Sequence, residues 1–341
     1  MDAVKMLVLG GTWFVGRAIV SEALRRGWDV TTFTRGHSPG VPGAREILGD
    51  RERPDDLELL AAQGPWDVVV DIAGSVPRLV RDAGRALRSH ADLYVFISTV
   101  SAYREWPQRP VDESSPLFDG DPDLDPVTRA WDPEAYGPLK AGCELAVRRE
   151  FGDDVLILRP TATLGPHEYV GRLQWWLRRM ERGGRVLAPG DPKRGIQPVD
   201  VRDLASFAVA LAGGGAAGLY NVAAPIGRDS YGDLLLGCRE VTGSDAEIVW
   251  VDEDWLVARG VVQWTELPLW RTLPTMWTMD ASRAHRAGLV CRPLRDTIVD
   301  MWAWLRGGGV PVEHERFAEH GIEPEREARL LAEWTAKQHG H

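Results

Sequence analysis

Lysine is scarce in this 341-residue chain. Of its 40 basic side chains four are lysine, at Lys5, Lys140, Lys193 and Lys337, and arginine carries the rest. Cysteine is scarcer: Cys143, Cys238 and Cys291 are odd in number and never closer than 53 residues, which excludes a disulfide framework and any CxxC metal or redox motif. No His/Cys/Asp/Glu spacing suggests a metal. Basic charge falls short of acidic, 40 against 50, and a net charge of −10 disfavours a phosphate-backbone binder, so nucleic acid is not expected as a partner. Between Met1 and Gly10 there is no room for a basic segment followed by an apolar one, so no export signal is expected and the cytoplasm is the expected location. The longest uncharged stretch, Leu204 to Gly227, is broken by three consecutive glycines, Asn221 and Pro225 into a helix, a turn and a strand, which argues against a membrane span. There is no internal repeat and no low-complexity segment.

What is present is an ordinary globular composition, 44% apolar and 26% charged, with one excess. Tryptophan (15) outnumbers phenylalanine (7) and tyrosine (6) together, and ten of the tryptophans follow residue 160. Along the chain, short apolar runs alternate with helical patterns: a strand at 4–9, a helix at 14–26, strands at 29–33 and 44–48, a helix at 54–63, a strand at 66–72, a helix after Pro77 and a strand at 93–97. Continuous apolar strands between amphipathic helices predict a parallel sheet covered on both faces. An acidic, proline-rich loop at 106–133 follows, either a solvated excursion or a flap over the substrate mouth. A helix at 133–150 and a strand at 155–158 come next. The predicted fold class is α/β, a Rossmann-type doubly wound parallel sheet spanning 1–165, with 196–224 returning to it. A smaller α/β substrate lobe takes 166–195 and 225–341, including a docking helix at 324–336.

The first strand runs into Gly10-Gly11-Thr12-Trp13-Phe14-Val15-Gly16, and a helix starts there, the setting in which backbone N–H groups and a helix N-terminus bind a dinucleotide pyrophosphate. The second strand ends in Thr34-Arg35-Gly36, without the acid that binds a ribose 2′-hydroxyl; Arg35 favours a 2′-phosphate, hence NADP(H) over NAD(H). Asp50, ending the third strand, is a candidate for the adenine amino group, and Ala73, after the fourth, a candidate cofactor contact.

Tyr136 and Lys140 stand one helical turn apart, on one face. Chance gives about 0.07 Tyr/Lys pairs at this spacing in a chain of this composition. A phenol of pKa about 10 is a poor neutral-pH catalyst until a neighbouring ammonium stabilises the phenolate, and lysine also reaches ribose hydroxyls. Thr99, at the end of the fifth strand beside Ser98 and Ser101, is placed to orient a substrate oxygen. Substrate-lobe candidates are His167, Arg172, Trp176 and Glu266, the last either a substrate ligand or an ion-pair partner of an arginine such as Arg271.

Gly10 to Gly16, Ser98-Thr99 with Tyr103, Tyr136 to Lys140, Leu158-Arg159-Pro160 with Gly165-Pro166, Val199 to Asp203, Tyr220-Asn221-Val222 and Pro293 to Asp296 together give a chain that resembles the extended short-chain dehydrogenase/reductases, a superfamily that also holds NAD-dependent epimerases and dehydratases. The resemblance implies a Rossmann domain, a nicotinamide dinucleotide, and Tyr136, Lys140 and Thr99 as catalytic residues. Trp13 replaces the pattern's middle glycine. Ala162 replaces an asparagine of the sugar-nucleotide enzymes, and Val100-Ser101 follows Thr99 where dehydratases carry Asp-Glu. The expected function is reduction of a carbonyl or imine in a small, apolar or aromatic metabolite, with an epimerase of a sugar or sugar nucleotide and a non-catalytic nucleotide sensor as alternatives. A small-molecule substrate and a homodimer are the expected partners.

Overall fold

In a computed structural model describing residues 3–128, 130–312 and 314–339, the predicted alternation forms one seven-stranded sheet. The strands are β1 (Lys5–Leu9), β2 (Asp29–Thr34), β3 (Arg45–Leu48), β4 (Trp66–Asp71), β5 (Ala91–Ile97) and β6 (Val155–Pro160), joined by the later strand Gly218–Val222. Their spatial order is β3-β2-β1-β4-β5-β6 and then Gly218–Val222, every pairing parallel. Helices α1 (Phe14–Arg25), α2 (Pro54–Ala61), α3 (Pro77–Leu87) and α4 (Pro133–Phe151) make the crossovers. β1 and β6 are buried almost end to end, as strands covered on both faces must be. The chain turns to opposite sides of the sheet after β1 and after β4, so the carboxyl ends of these neighbouring strands form the crevice where such sheets bind ligands.

Two compact units result: Met1–Thr161 with Val201–Ala223 and Thr278–Cys291, and Ala162–Asp200 with Ala224–Trp277 and Arg292–His341. The sequence reading assigns 278–291 to the second lobe. It clusters with unit 1 because its backbone and side chains are bonded there: Asp280 N–H donates to Val111 O (2.8 Å), Asn221 Nδ2 donates to Asp280 O (3.0 Å), and His285 Nε2 lies 3.0 Å from Ala223 O.

The acidic loop is strapped to the helices of unit 1. Asp125 pairs with Arg78 of α3 (2.7 Å), while Asp123 meets both Arg81 of α3 and Arg149 of α4. At the crossing two glycines permit backbone contact, since a Cβ on Gly120 would stand 2.3 Å from Gly142 N and one on Gly142 would stand 2.7 Å from Asp121 O.

In unit 2, α5 (Arg172–Glu181) packs on α6 (Tyr231–Thr242), and strand Arg185–Pro189 pairs in parallel with Glu247–Val251. The helix Pro324–His339 is anchored by Glu327, which is buried, binds Arg179 (2.7 Å) and accepts the Leu187 N–H (3.0 Å). Among the described residues no helix is long and apolar enough to cross a membrane.

Candidate functional site

The glycine turn is shaped by backbone requirements. Gly10 and Gly11 have φ of 102° and 105°, values that side chains oppose, and a Cβ on Gly11 would meet Thr32 Cγ2 at 2.9 Å. A Cβ on Gly16 would come within 2.8 Å of Gly11 N, so this glycine lets α1 seat directly on the turn. Trp13 is the N-cap of α1, makes no side-chain capping bond, and is followed by no acid in the first turn. A helix end without a side-chain cap suits an anion. Trp13 directs its indole N–H instead to Ser38 Oγ (2.8 Å), across to the loop after β2. Gly10 also faces the exposed Ala73: a Cβ on Gly10 would lie 3.7 Å from Ala73 Cβ, which brings the ends of β1 and β4 together.

Beyond β2, Arg35 is exposed, and the segment 34–40 contains no acid. Thr34 Oγ1 accepts the Gly36 N–H (3.2 Å) and donates to Glu46 of β3 (3.1 Å). Ser38, which the sequence reading passes over, is the second polar group of this rim, and a hydroxyl two residues past a turn carries no signal until Trp13 is seen to hold it. Asp50 is engaged locally, its Oδ1 accepting the Glu52 N–H (3.0 Å).

The predicted acid–base residues lie on segments that the fold joins. The α4 N-cap is Asp132, whose Oδ1 accepts the Glu134 N–H (2.9 Å). Gly137 sits against the 3-10 turn Val100–Ala102, where a Cβ would be 2.4 Å from Ser101 O, so α4 touches the end of β5 between Tyr136 and Lys140. Lys140 is buried, donates to Gly74 O and Ile97 O at 2.7 Å each, and lies 4.2 Å from the Phe96 ring centre. It thereby ties together the segments following β4 and β5. Burial lowers its pKa below the usual lysine value. Thr99 accepts the Ser101 N–H (3.2 Å), which leaves its hydroxyl proton to be donated. Tyr136 is half-buried, 4.9 Å from Trp131 between ring centres.

Two buried networks brace this edge, and neither was foreseen. Asp71, ending β4, receives both Arg51 Nη1 (2.9 Å) and Nη2 (2.8 Å) together with the Tyr94 hydroxyl (2.8 Å). Burial pushes the Asp71 carboxyl up, but Arg51 and Tyr94 outweigh it and hold its pKa below the carboxylate range. Glu144 of α4 accepts from Ser98 and from Arg159 Nε (2.8 Å), Arg159 lies over the Tyr103 ring (4.6 Å), and Tyr103 donates to Asn221 Oδ1 (2.7 Å). Ser98 is thus spent on Glu144. The sequence signal was there in Ser98, Tyr103, Arg159 and Asn221, which the resemblance marks as a set without saying that they touch.

Substrate-lobe candidates fare differently in unit 2. Trp176 is a correction: it is fully buried, donates its indole N–H to Pro268 O (2.9 Å) and packs edge-on to Tyr231, so it is a core side chain with no face for a substrate. Glu266 is an ion-pair partner, but of Arg326 (2.7 Å) and not Arg271. Arg172 is buried against Glu168 (2.8 Å) and Thr163 O (3.0 Å). The half-buried His167 has φ of 69° and its ring 4.8 Å from that of Trp304. Among the described residues no group of three His, Cys, Asp or Glu side chains is placed to hold a metal.

Residues 6–223 match the NAD dependent epimerase/dehydratase family. The chain is 27% identical, over 218 residues, to the chloroplast stem-loop binding protein of 41 kDa b of Arabidopsis thaliana, covering 59% of this chain and 53% of that one, so the match spans about half the relative's length. Its fold is similar to that of the Bordetella bronchiseptica enzyme WbmH in complex with NAD+ (TM-score 0.69, 19% identity, 90% of this chain and 100% of that one). It is also similar to the UDP-glucose 4-epimerase of Thermotoga maritima with UDP-glucose (TM-score 0.64, 20% identity, 89% and 99%).

Proposed function

The chain belongs to the NAD dependent epimerase/dehydratase family, and from that premise we propose that it is an NADP(H)-dependent reductase of a carbonyl or imine in a small, apolar or aromatic metabolite. The observation that supports the cofactor preference is the segment 34–40, which contains no acid and carries the exposed Arg35 and, three residues on, Ser38. A guanidinium and a hydroxyl suit a 2′-phosphate, whereas a ribose diol is served by a carboxylate. The residues present fit a dinucleotide: a glycine turn closed to any Cβ at Gly11 and Gly16, and an α1 N-terminus with no side-chain cap or acid.

When bound, such a cofactor supplies the hydride. The chain's own groups do the rest. Thr99 donates a hydrogen bond that fixes the substrate oxygen. Tyr136 gives that oxygen its proton. Lys140, held by two backbone carbonyls, has a third N–H with which to stabilise the tyrosinate and grip a ribose hydroxyl. Thr99 follows β5 while Tyr136 and Lys140 lie on α4, whose Gly137 packs against the turn after β5, and this contact supports a shared orientation.

An NAD(P)-dependent epimerase of a sugar or sugar nucleotide is the second reading. It is supported by the Thermotoga enzyme's name and opposed by Ala162 and Arg35. A nucleotide-sensing protein that does no chemistry, or the stem-loop binding named for the Arabidopsis relative, would need neither Tyr136 nor Lys140, and the net charge of −10 opposes the latter.

The test is NADPH consumption against a panel of carbonyl compounds, together with the identity of any nucleotide that co-purifies. Tightly bound NAD+ with no net NADPH turnover would sink the reductase in favour of the epimerase. Tyr136→Phe is expected to lower turnover by about 10²–10⁴-fold with NADPH affinity within a few-fold. Retention of most activity would refute the proton-donor role.

A further inference from the structure

Gly10, Gly11 and Gly16 keep the turn after β1 bare, yet the residue between them that caps α1 is a tryptophan. Trp13 has φ of −109°, an extended conformation open to any residue, so the backbone at this position makes no demand for glycine. Its side chain is committed sideways. The indole N–H donates to Ser38 Oγ at 2.8 Å, 25 positions along the chain, and so joins the turn after β1 to the loop after β2.

That loop is pinned on either side of Ser38. The Gly36 N–H donates to Thr34 Oγ1 (3.2 Å), and beyond Ser38 the buried Val41 accepts the Ala44 N–H (3.1 Å). Pro39, next in the chain, steers the Ser38 backbone away from the helical region. The Trp13 bond fixes the middle of the loop, and it also fixes what the serine can do. A hydroxyl has one proton and two lone pairs, whereas an indole N–H can only donate. With Trp13 donating to its oxygen, Ser38 keeps its own proton for another acceptor. Ser38 is therefore a hydrogen-bond donor in a segment whose charged residue is the exposed Arg35. Glu46, an acid of the adjoining strand β3, is engaged by the Thr34 hydroxyl (3.1 Å). A donor and a cation together suit a phosphate monoester, whose oxygens accept and carry charge, better than a ribose hydroxyl.

We propose that Trp13 is a positioning residue for cofactor selection: its indole N–H holds Ser38 so that the serine proton is presented to the 2′-phosphate of NADP(H). This role rests on the NADP(H) reading and adds to it a residue that acts through another.

Calorimetric titration of the full-length protein with NADPH and with NADH tests this without turnover. Wild type is expected to bind NADPH about tenfold or more tighter than NADH. Trp13→Phe, which keeps an aromatic ring and removes the N–H, should weaken NADPH binding about fivefold and leave NADH binding within about twofold, and Ser38→Ala should do the same. Because Trp13 acts through Ser38, the double variant should bind NADPH within about twofold of Ser38→Ala alone. Unchanged NADH affinity serves as the check that each variant is folded. A preference for NADPH that survives either single substitution overturns the role of Trp13 and leaves the NADP(H) reading standing. Equal losses for the two nucleotides do the same, as does a double variant in which the two losses multiply. NADH bound by wild type as tightly as NADPH sinks the NADP(H) reading, and the role of Trp13 with it.

Discussion

Arg159 in unit 1 and Arg271 in unit 2 are the same residue type in opposite electrostatic situations. Arg159 is sealed in the core with Glu144 across from it and a tyrosine ring beneath, whereas Arg271 is half-open and has a ring but, among the described residues, no carboxylate. Lys140 resembles the second case, since its buried ammonium is met by two neutral carbonyls and, among the described residues, no carboxylate within 4.0 Å. A cation with its counter-charge built in serves the fold. One whose counter-charge is missing leaves binding energy for a ligand.

Removing a cation of one kind and the counter-charge of the other should therefore have opposite consequences. Lys140→Met should lower turnover by about 10²–10⁴-fold. Glu144→Gln, which leaves Arg159 buried opposite a neutral amide, should cost about 3–5 kcal/mol of stability in a urea titration. If Lys140→Met cost as much stability as Glu144→Gln, the division between structural and functional cations would fail. Asp71→Asn, which strips Arg51 of its partner, should cost a similar amount at neutral pH.

The pH dependence of that last loss carries a sign. The folded-state pKa of Asp71 lies below its unfolded value of about 3.9, so its contribution is complete above that value and disappears as pH falls through the lower, folded one. The gap between wild type and Asp71→Asn should therefore stay open at neutral pH and close in strong acid; a gap independent of pH would show that the carboxylate charge is irrelevant. The smallest expected effect is at the exposed rim, where Arg35→Ala should raise KM for NADPH about tenfold and leave that for NADH nearly unchanged, in steady-state kinetics with each cofactor. Equal effects on both would remove the 2′-phosphate role.

The long apolar strands and amphipathic helices were legible one by one, and their observed ends differ from the expected ones by a few residues: α2 stops at Ala61 instead of Gln63, and β6 runs on to Pro160. The glycine turn and the Tyr136/Lys140 spacing were equally plain, because each obeys a local rule of backbone or helix geometry. Trp176 obeys no such local rule. An amphipathic tryptophan at a helix start reads the same whether its indole meets a substrate or the Pro268 carbonyl 92 positions on, and local pattern carries no information about that distant partner.

The doubly wound parallel sheet, the phosphate turn and the candidate proton-transfer set are written locally in the chain, since hydrophobic period, glycine and a four-residue spacing act over short lengths of it. Which charges are cancelled is settled only by the folded chain. The pairing of Arg51 with Asp71, of Arg159 with Glu144, of Glu266 with Arg326, and the lack of any such partner for Arg271 among the described residues all depend on segments brought together across the fold. Coulomb attraction and desolvation act through space between side chains, and no spacing along the chain records them.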